Sequence, residues 1–224
     1  MQTLMKNIGY NFKNIDLLKT ALTHSSYANE HKISSYERLE FLGDSILSFV
    51  VSTRLYSATT SFPEGEMSKL RAAIVCERSL DECAKNLHLG DYLILSKGEE
   101  LTGGRTRPSI LADVFEAVLA SIYIDGGLDE AERFVISQLG NAIDIACKGI
   151  ALYKDYKTEL QEIAQSVDKK VEYKHIREDG PAHNKTFTVQ VVYDGKVISE
   201  DTGRSKKDAE QNAARRALAE VKNG

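Results

Sequence analysis

The spacing of apolar residues changes once along the chain, and this change limits the possible folds more than any other feature. Through residue 147, apolar residues recur every three or four positions, as on the buried face of a helix. Beyond residue 153, short alternating segments typical of strands lie between two helical segments. The sequence therefore predicts two domains, at 1–147 and 154–224, joined by a linker at 148–153.

The first domain is expected to be all-α. Its predicted helices cover residues 16–22, 36–56, 66–87, 110–124 and 129–147. The glycine-rich, charged segment Gly98–Pro108 is expected to be a mobile loop before the fourth of these helices. The helix at 36–56 is predicted to be central, because one of its faces is apolar: Leu39, Leu42, Ile46, Phe49 and Val50.

The second domain is expected to be α+β, in the order αβββα. Its predicted helices cover residues 155–165 and 204–221, and its predicted strands cover 171–176, 187–192 and 196–201. Asp194-Gly195 is a typical hairpin turn between the last two strands.

The charge balance does not identify a ligand. The chain has 29 Lys and Arg against 33 Asp and Glu, a net charge of −4. Residues 1–150 carry 15 basic and 20 acidic residues (−5), and residues 151–224 carry 14 and 13 (+1), which add up to −4. Because nucleic-acid binding depends on local charge, an acidic total does not exclude it.

The sequence favours a cytoplasmic protein. The three cysteines form no C-x-x-C pair and are expected to be ordinary thiols. The N-terminus has no apolar signal region, and no apolar run approaches about 18 residues, so neither export nor membrane insertion is predicted.

Three acids share one stripe of the helix at 36–56. At 100° per residue, Glu37, Glu40 and Asp44 fall within about 60° of one another, opposite the apolar face. A solvated polar face is the simplest interpretation. However, Glu40 and Asp44 form a destabilising like-charge i, i+4 pair, and the next position on this face, Ser48, is not basic. A cation is therefore expected beside the stripe.

A second acidic pair lies in the apolar helix at 110–124, where Asp113 and Glu116 are the only charged residues. Two carboxylates in a helix that must be largely buried are hard to keep ionised without a partner. An arginine is one possible partner, and the candidates are Arg38, Arg71 and Arg105. Carboxylate oxygens without a Cys or His cluster otherwise suit Mg²⁺ or Mn²⁺, which bind phosphate oxygens alongside such ligands.

Three segments of the first domain resemble the ribonuclease III family: ERLEFLGDSIL at 37–47, EGEMSKLRA at 64–72 and LADVFEAVLASIYIDGG at 111–127. The resemblance implies a homodimeric hydrolase that cuts double-stranded RNA, leaving 5′-phosphate and 3′-hydroxyl ends with short 3′ overhangs. Ribosomal RNA precursors and other structured transcripts are the implied substrates.

The resemblance also implies roles for individual acids. Mg²⁺, with Mn²⁺ as a substitute, would be held by Glu40, Asp44, Asp113 and Glu116, of which Asp44 and Glu116 are the expected catalytic residues. Supporting acids would be Glu37 and, toward the partner subunit's site, Glu64. No small-molecule cofactor is expected.

The second domain resembles the double-stranded-RNA-binding domain, through GPAHNKTF at 180–187 and GRSKKDAE at 203–210. Lysines at the start of a helix favour phosphate, and exposed side chains beside them can reach the minor grooves of duplex RNA. The expected RNA-binding residues are Thr158, Gln161, Glu162, Pro181, His183, Lys206 and Lys207. Because family members often have a basic residue where this chain has Glu210, a modest affinity is expected.

Three other functions are weighed against this one. The first domain could be only a dimer scaffold for an RNA-binding protein, although repelling carboxylates would serve no purpose in a scaffold. A different metal-dependent phosphohydrolase would not need the second domain. His24-Ser25-Ser26 could contain a nucleophile, but a helix-end hydrogen-bond cluster is favoured.

Overall fold

The structure, a computed structural model, describes residues 1–58, 62–149, 155–180 and 185–223. The chain divides into two compact units, Met1–Leu152 and Tyr153–Gly224. Of the linker expected at 148–153, residues 150–153 lie outside the described residues. Within the described ranges, no helix is both long enough and apolar enough to cross a membrane.

The first unit is helical, as predicted. Its described helices are α1 (Gln2–Ile8), α2 (Ile15–Ala21), α3 (Ser25–His31), α4 (Glu37–Ala58), α5 (Glu64–Ile74), α6 (Glu77–Asn86), α7 (Lys97–Leu101), α8 (Pro108–Gly126) and α9 (Leu128–Cys147).

Helix α8 forms the centre of this unit. Pro108 occupies its first turn, where a missing N–H is harmless, and Gly127, with φ of 87°, follows its end. Eleven of its side chains are buried, because it packs against α4, α6 and α9. A helix that is apolar on almost every side must be enclosed in this way.

The helix predicted at 66–87 is in fact two helices. Cys76, between α5 and α6, has an extended backbone with φ and ψ of −72° and 154°, so the helix cannot continue through it. The break allows Ile74 and Leu80 to enter the same core, whereas an unbroken helix would point them roughly 120° apart. Neither glycine nor proline marks this break, which explains why the single-helix prediction was wrong.

The segment Gly98–Pro108 is more ordered than the predicted loop. It contains four of the five residues of α7 and a 3₁₀ turn at Gly104–Thr106. Arg105 holds the segment together, because it donates two hydrogen bonds of 2.8 Å to Glu100 and further bonds to two backbone carbonyls. The prediction of an irregular loop was therefore wrong for the part of α7 in this segment and for the 3₁₀ turn.

One position of the predicted apolar face of α4 also differs. Phe49 is 56% exposed, although its spacing predicted a core residue. Phe41 and Tyr56, on the same side of α4, are 78% and 77% exposed. Leu39, Ile46 and Val50 are buried as predicted, and Leu42 packs against the core.

The second unit has the predicted order αβββα: α10 (Tyr156–Ser166), β1 (Val171–Asp179), β2 (Thr186–Tyr193), β3 (Lys196–Gly203) and α11 (Lys206–Asn223). The strands form an antiparallel sheet in the order β1-β2-β3. Asp194 and Gly195 both have positive φ, of 50° and 80°, as a tight hairpin requires. The core of the unit contains Leu160, Val189 and Val191, together with alanines of α11.

Candidate active site

Helices α4 and α8 cross in close backbone contact at Gly43. A Cβ atom at this position would overlap the backbone carbonyl of Glu116. Only glycine therefore permits this crossing, which brings the acidic stripe of α4 beside the acidic pair of α8. Sequence reasoning included Gly43 in the motif but assigned it no role.

The four predicted metal-binding acids lie at this crossing. On α4, Asp44 is exposed and Glu40 is partly buried, and on α8 Asp113 and Glu116 are partly buried. Glu37, on the same side of α4, is exposed and accepts a hydrogen bond of 3.0 Å from the Ser35 hydroxyl.

The acids raise one another's pKa values. Burial, followed by the charges of Asp44, Glu40 and Asp113, raises the pKa of Glu116 to about 8. Burial and the charges of Asp113, Glu37 and Asp44 likewise raise the pKa of Glu40. The crossing of α4 and α8 is therefore a region of concentrated negative charge.

Two of the three arginines that could have neutralised these acids are engaged elsewhere, and the third, Arg38, is exposed. Arg71 donates to the Ser52 hydroxyl at 3.0 Å, and Arg105 is paired with Glu100. Within residues 1–58, 62–149, 155–180 and 185–223, no Lys, Arg or His forms an ion pair with the four acids. The structure therefore does not support the alternative that these carboxylates are simply salt-bridged.

The side chains do not enclose a metal ion as they stand. Among the described residues, no three His, Cys, Asp or Glu side chains are arranged to hold one. The four carboxylates nevertheless provide only oxygen donors, which is the donor type that Mg²⁺ and Mn²⁺ prefer. Binding would require these side chains to turn toward a common point.

Tyr36 is a residue at this site to which sequence reasoning gave no role. Its side chain is only 3% exposed, and its hydroxyl lies 3.4 Å from Oδ2 of Asp113. Burial, and then the charges of Asp113, Glu40 and Glu37, raises the pKa of this hydroxyl, so it remains protonated. Its position immediately before Glu37 in the acidic motif was the available signal.

Two further residues act electrostatically on Asp113. Burial raises the pKa of Asp113, the hydrogen bond from Tyr36 lowers it, the charge of Glu77 raises it and that of His24 lowers it. The His24 ring lies 5.7 Å from the Tyr36 ring, between centroids. These neighbours come from other segments of the chain, so their proximity could not be predicted from spacing.

The other candidates in the first unit form local hydrogen bonds at the starts of helices. His24 precedes α3 and its Nδ1 accepts from the backbone N–H of Ser26, which confirms the predicted helix-end cluster. Glu64 is the exposed first residue of α5 and accepts a hydrogen bond of 2.8 Å from Ser68. Its charge is not among those that raise the pKa of Glu40, Asp113 or Glu116.

The second unit presents the expected RNA-binding residues on two helices. Thr158, Gln161 and Glu162 are exposed on α10, at the spacing i, i+3, i+4 that places them on one face. Lys206 and Lys207 are the first two residues of α11 and are exposed. Pro181 and His183 lie outside the described residues.

Acidic residues accompany the lysines of this unit. Glu178, near the end of β1, pairs with Lys185 at 3.1 Å and with Lys206 at 3.2 Å. Hydrogen bonds from these two lysines hold the pKa of Glu178 below its ordinary value. Glu210 of α11, where a basic residue was expected from the resemblance, pairs with other bases, Lys157 and His175.

Comparison with known proteins finds two family models that match separate parts of the chain. Residues 14–143 match the ribonuclease-III-like family, and residues 156–221 match the double-stranded RNA binding motif. Proteins named Ribonuclease 3 from Caldanaerobacter subterraneus and Listeria monocytogenes are 50% and 47% identical to this chain. Each alignment covers 97% of this chain and 96% of the relative.

A solved structure supports the fold of the first unit. The nuclease domain of ribonuclease III from Campylobacter jejuni aligns with a TM-score of 0.61 and 38% identity, covering 64% of this chain and 99% of that one. The ribonuclease-III-like match alone spans more than half of the residues, and the relatives match over nearly the full length. The chain therefore belongs to the ribonuclease III family of double-stranded-RNA endoribonucleases.

Proposed function

We propose that this protein hydrolyses phosphodiester bonds of double-stranded RNA with Mg²⁺, or Mn²⁺ in its place, held by Glu40, Asp44, Asp113 and Glu116. The products would carry 5′-phosphate and 3′-hydroxyl ends with short 3′ overhangs. The supporting observation is that four carboxylates lie together at the crossing of α4 and α8 and form no ion pair in the described part of the chain.

The chain's own residues have distinct tasks in this proposal. Glu116, with a pKa of about 8, is the acid whose ionised form depends most on a nearby cation, so it is expected to be the most sensitive ligand. Asp44 is the exposed acid of the group, so it would be accessible to RNA. When bound, the cation would activate water and stabilise charge on the departing 3′-oxygen. Glu37 would support the site from the same helix face.

The second unit would supply affinity for the duplex. Lys206 and Lys207 stand at a helix N-terminus, where backbone N–H groups also favour phosphate. The exposed face of α10 with Thr158, Gln161 and Glu162 would contact a minor groove, where 2′-hydroxyls distinguish RNA from DNA. Pro181 and His183 would contact another groove.

We propose a homodimer as the active form. Because one set of carboxylates can cut only the strand that lies in it, two sites related by two-fold symmetry are the simplest source of a staggered double cut. The exposed aromatics Phe41, Phe49 and Tyr56 of α4 offer apolar surface for a partner copy. The Campylobacter jejuni structure is described as having a region involved in dimer formation. Glu64 is proposed to serve the partner's site.

The remaining expectations are part of this proposal. The nuclease domain would comprise residues 1–147 and the RNA-binding domain residues 154–224, with the linker at 148–153 between them. The protein would act in the cytoplasm on precursors of ribosomal RNA and on other structured transcripts. No small-molecule cofactor is proposed.

Mapping of cleavage ends tests this function. A defined duplex labelled on each strand would be incubated with Mg²⁺, and in parallel with EDTA. We expect paired cuts offset by a short 3′ overhang with Mg²⁺, and intact RNA with EDTA. Cleavage that persists in EDTA would contradict the metal site, and RNA binding without cleavage under either condition would favour the scaffold alternative.

A further inference from the structure

We infer that Tyr36 is a positioning residue for the proposed metal-binding acid Asp113, with its buried hydroxyl directing which carboxylate oxygen faces the cation. The inference rests on the proposed metal site. It concerns a residue that needs no contact with RNA or with the cation itself.

The backbone of Tyr36 is fixed at the start of α4. Its carbonyl accepts hydrogen bonds from Leu39 N–H at 2.8 Å and Glu40 N–H at 2.9 Å, and its own N–H donates to the Thr23 carbonyl at 2.9 Å. The side chain is buried in the core of the first unit. The hydroxyl is therefore held in a fixed position beside Asp113.

The contact selects one oxygen of Asp113. The protonated hydroxyl donates to Oδ2, and among the described residues no other side chain donates to this carboxylate. Oδ1 is thus left for a cation. The oxygen–oxygen distance of 3.4 Å exceeds the usual 2.7–2.8 Å of such bonds, and bonds of this kind often shorten when an active site is filled.

A purely structural role is the competing explanation. The Tyr36 ring fills core space beside His24, so removal of the whole side chain would create a cavity whatever the hydroxyl does. Tyr36→Phe separates the two roles because it keeps the ring and removes only the hydroxyl.

Tyr10→Phe is the matched control. The Tyr10 hydroxyl also donates to a carboxylate, that of Asp125 at 2.8 Å, but Asp125 lies nine residues beyond Glu116 on α8. At 1.5 Å per residue this places Asp125 roughly 13 Å away along the helix. Loss of this second phenol–carboxylate bond should leave cation binding unchanged.

The experiment is a Mn²⁺ titration of the metal-free full-length chain, followed by electron paramagnetic resonance. We expect Tyr36→Phe to weaken Mn²⁺ binding about tenfold, as loss of a ligand's hydrogen-bond partner typically does. Higher Mg²⁺ should restore its cleavage rate, and KM for RNA should not change. Tyr10→Phe should bind Mn²⁺ like the wild type.

Three outcomes would overturn the inference. Equal Mn²⁺ affinity in the wild type and in Tyr36→Phe would leave the hydroxyl without a positioning role. An equal loss in Tyr10→Phe would assign the effect to general destabilisation. Failure of the wild type itself to bind Mn²⁺ would remove the proposed metal site and this inference with it.

Discussion

The two units of this protein differ in whether their acidic residues form ion pairs. At the crossing of α4 and α8, Glu40 and Glu116 are partly buried beside other acids and have no basic partner in the described ranges. In the second unit, Glu178 holds two lysines, and Glu210 holds a lysine and a histidine. One unit concentrates negative charge, and the other balances it.

This difference suggests how each unit meets its ligand. Partly buried like charges destabilise the folded state, so binding of a cation beside them should make the nuclease unit more stable. In the RNA-binding unit, Lys185 and Lys206 are already paired with Glu178, so RNA phosphate must replace this carboxylate at these two lysines. The unpaired acids of the nuclease unit favour metal-dependent catalysis, whereas the ion pairs of the RNA-binding unit limit its affinity for RNA.

The largest expected effect follows from removing an unpaired acid. Glu116→Gln keeps the side-chain volume but removes a ligand charge, and we expect cleavage to fall by about a thousandfold or more, since metal stabilisation is worth several kcal/mol. Duplex binding should change little. Single-turnover cleavage and a filter-binding assay measure the two quantities.

Glu132→Gln is the matched control for this variant. Glu132 lies on α9 and is already paired with Arg54 at 2.8 Å, so its loss should leave cleavage near normal. If Glu116→Gln cleaved normally at ordinary Mg²⁺ concentration, the metal site would be misplaced.

A second effect is expected on stability as the pH changes without metal. The pKa of Glu116 is about 8 in the folded protein and about 4.5 in the unfolded chain, so the folded state binds more protons between these values. The free energy of unfolding should therefore fall as the pH rises from 5 to 8, by a few kcal/mol in order of magnitude.

Thermal unfolding in EDTA across this pH range measures the effect. Glu116→Gln should flatten the dependence and be more stable than the wild type near pH 8. An identical pH dependence in both proteins would mean that the raised pKa of Glu116 is not the cause of the effect.

A smaller effect is expected from the lysines of the RNA-binding unit. The double variant Lys206→Ala with Lys207→Ala should weaken binding roughly tenfold, to a similar extent for unrelated duplex sequences. The slope of log K against log salt should drop by about one to two. An unchanged slope, or a loss confined to one sequence, would exclude phosphate contact by these lysines.

The smallest expected effect comes from breaking the ion pairs of Glu178 in the second unit. Glu178→Gln frees Lys185 and Lys206, and should strengthen duplex binding by roughly two- to fivefold, because exposed ion pairs contribute little each. Asp179→Asn, which loses the pair of Asp179 with Arg177, is the control and should have a weaker effect. Weaker RNA binding by Glu178→Gln would show that this carboxylate orders the lysines instead of competing with RNA.

The regular parts of the fold could be predicted because their signals are local. Apolar spacing predicted α4, α8 and the αβββα order, and the acidic stripe was evident from residue spacing alone. The break at Cys76 has no local signal, because it depends on a core shared by Ile74 and Leu80. Phe49 has the spacing of a core residue but lies on a side of α4 that no described segment covers.

The site was predictable in its residue types but not in its contacts. Like-charge spacing indicated the acids, whereas the close approach at Gly43 and the contact of Tyr36 with Asp113 join residues more than 70 positions apart. Such contacts are set by how α4 crosses α8, which no single segment specifies.

The most direct test of the central claim is anomalous diffraction from crystals of the protein grown with Mn²⁺. We predict a peak at the crossing of α4 and α8, with oxygens of Glu40, Asp44, Asp113 and Glu116 around it, the direct ligands at roughly 2.0–2.3 Å. No peak is expected among the paired acids of the second unit. A fully loaded crystal without a peak at the crossing, or with its only peak elsewhere, would contradict the account.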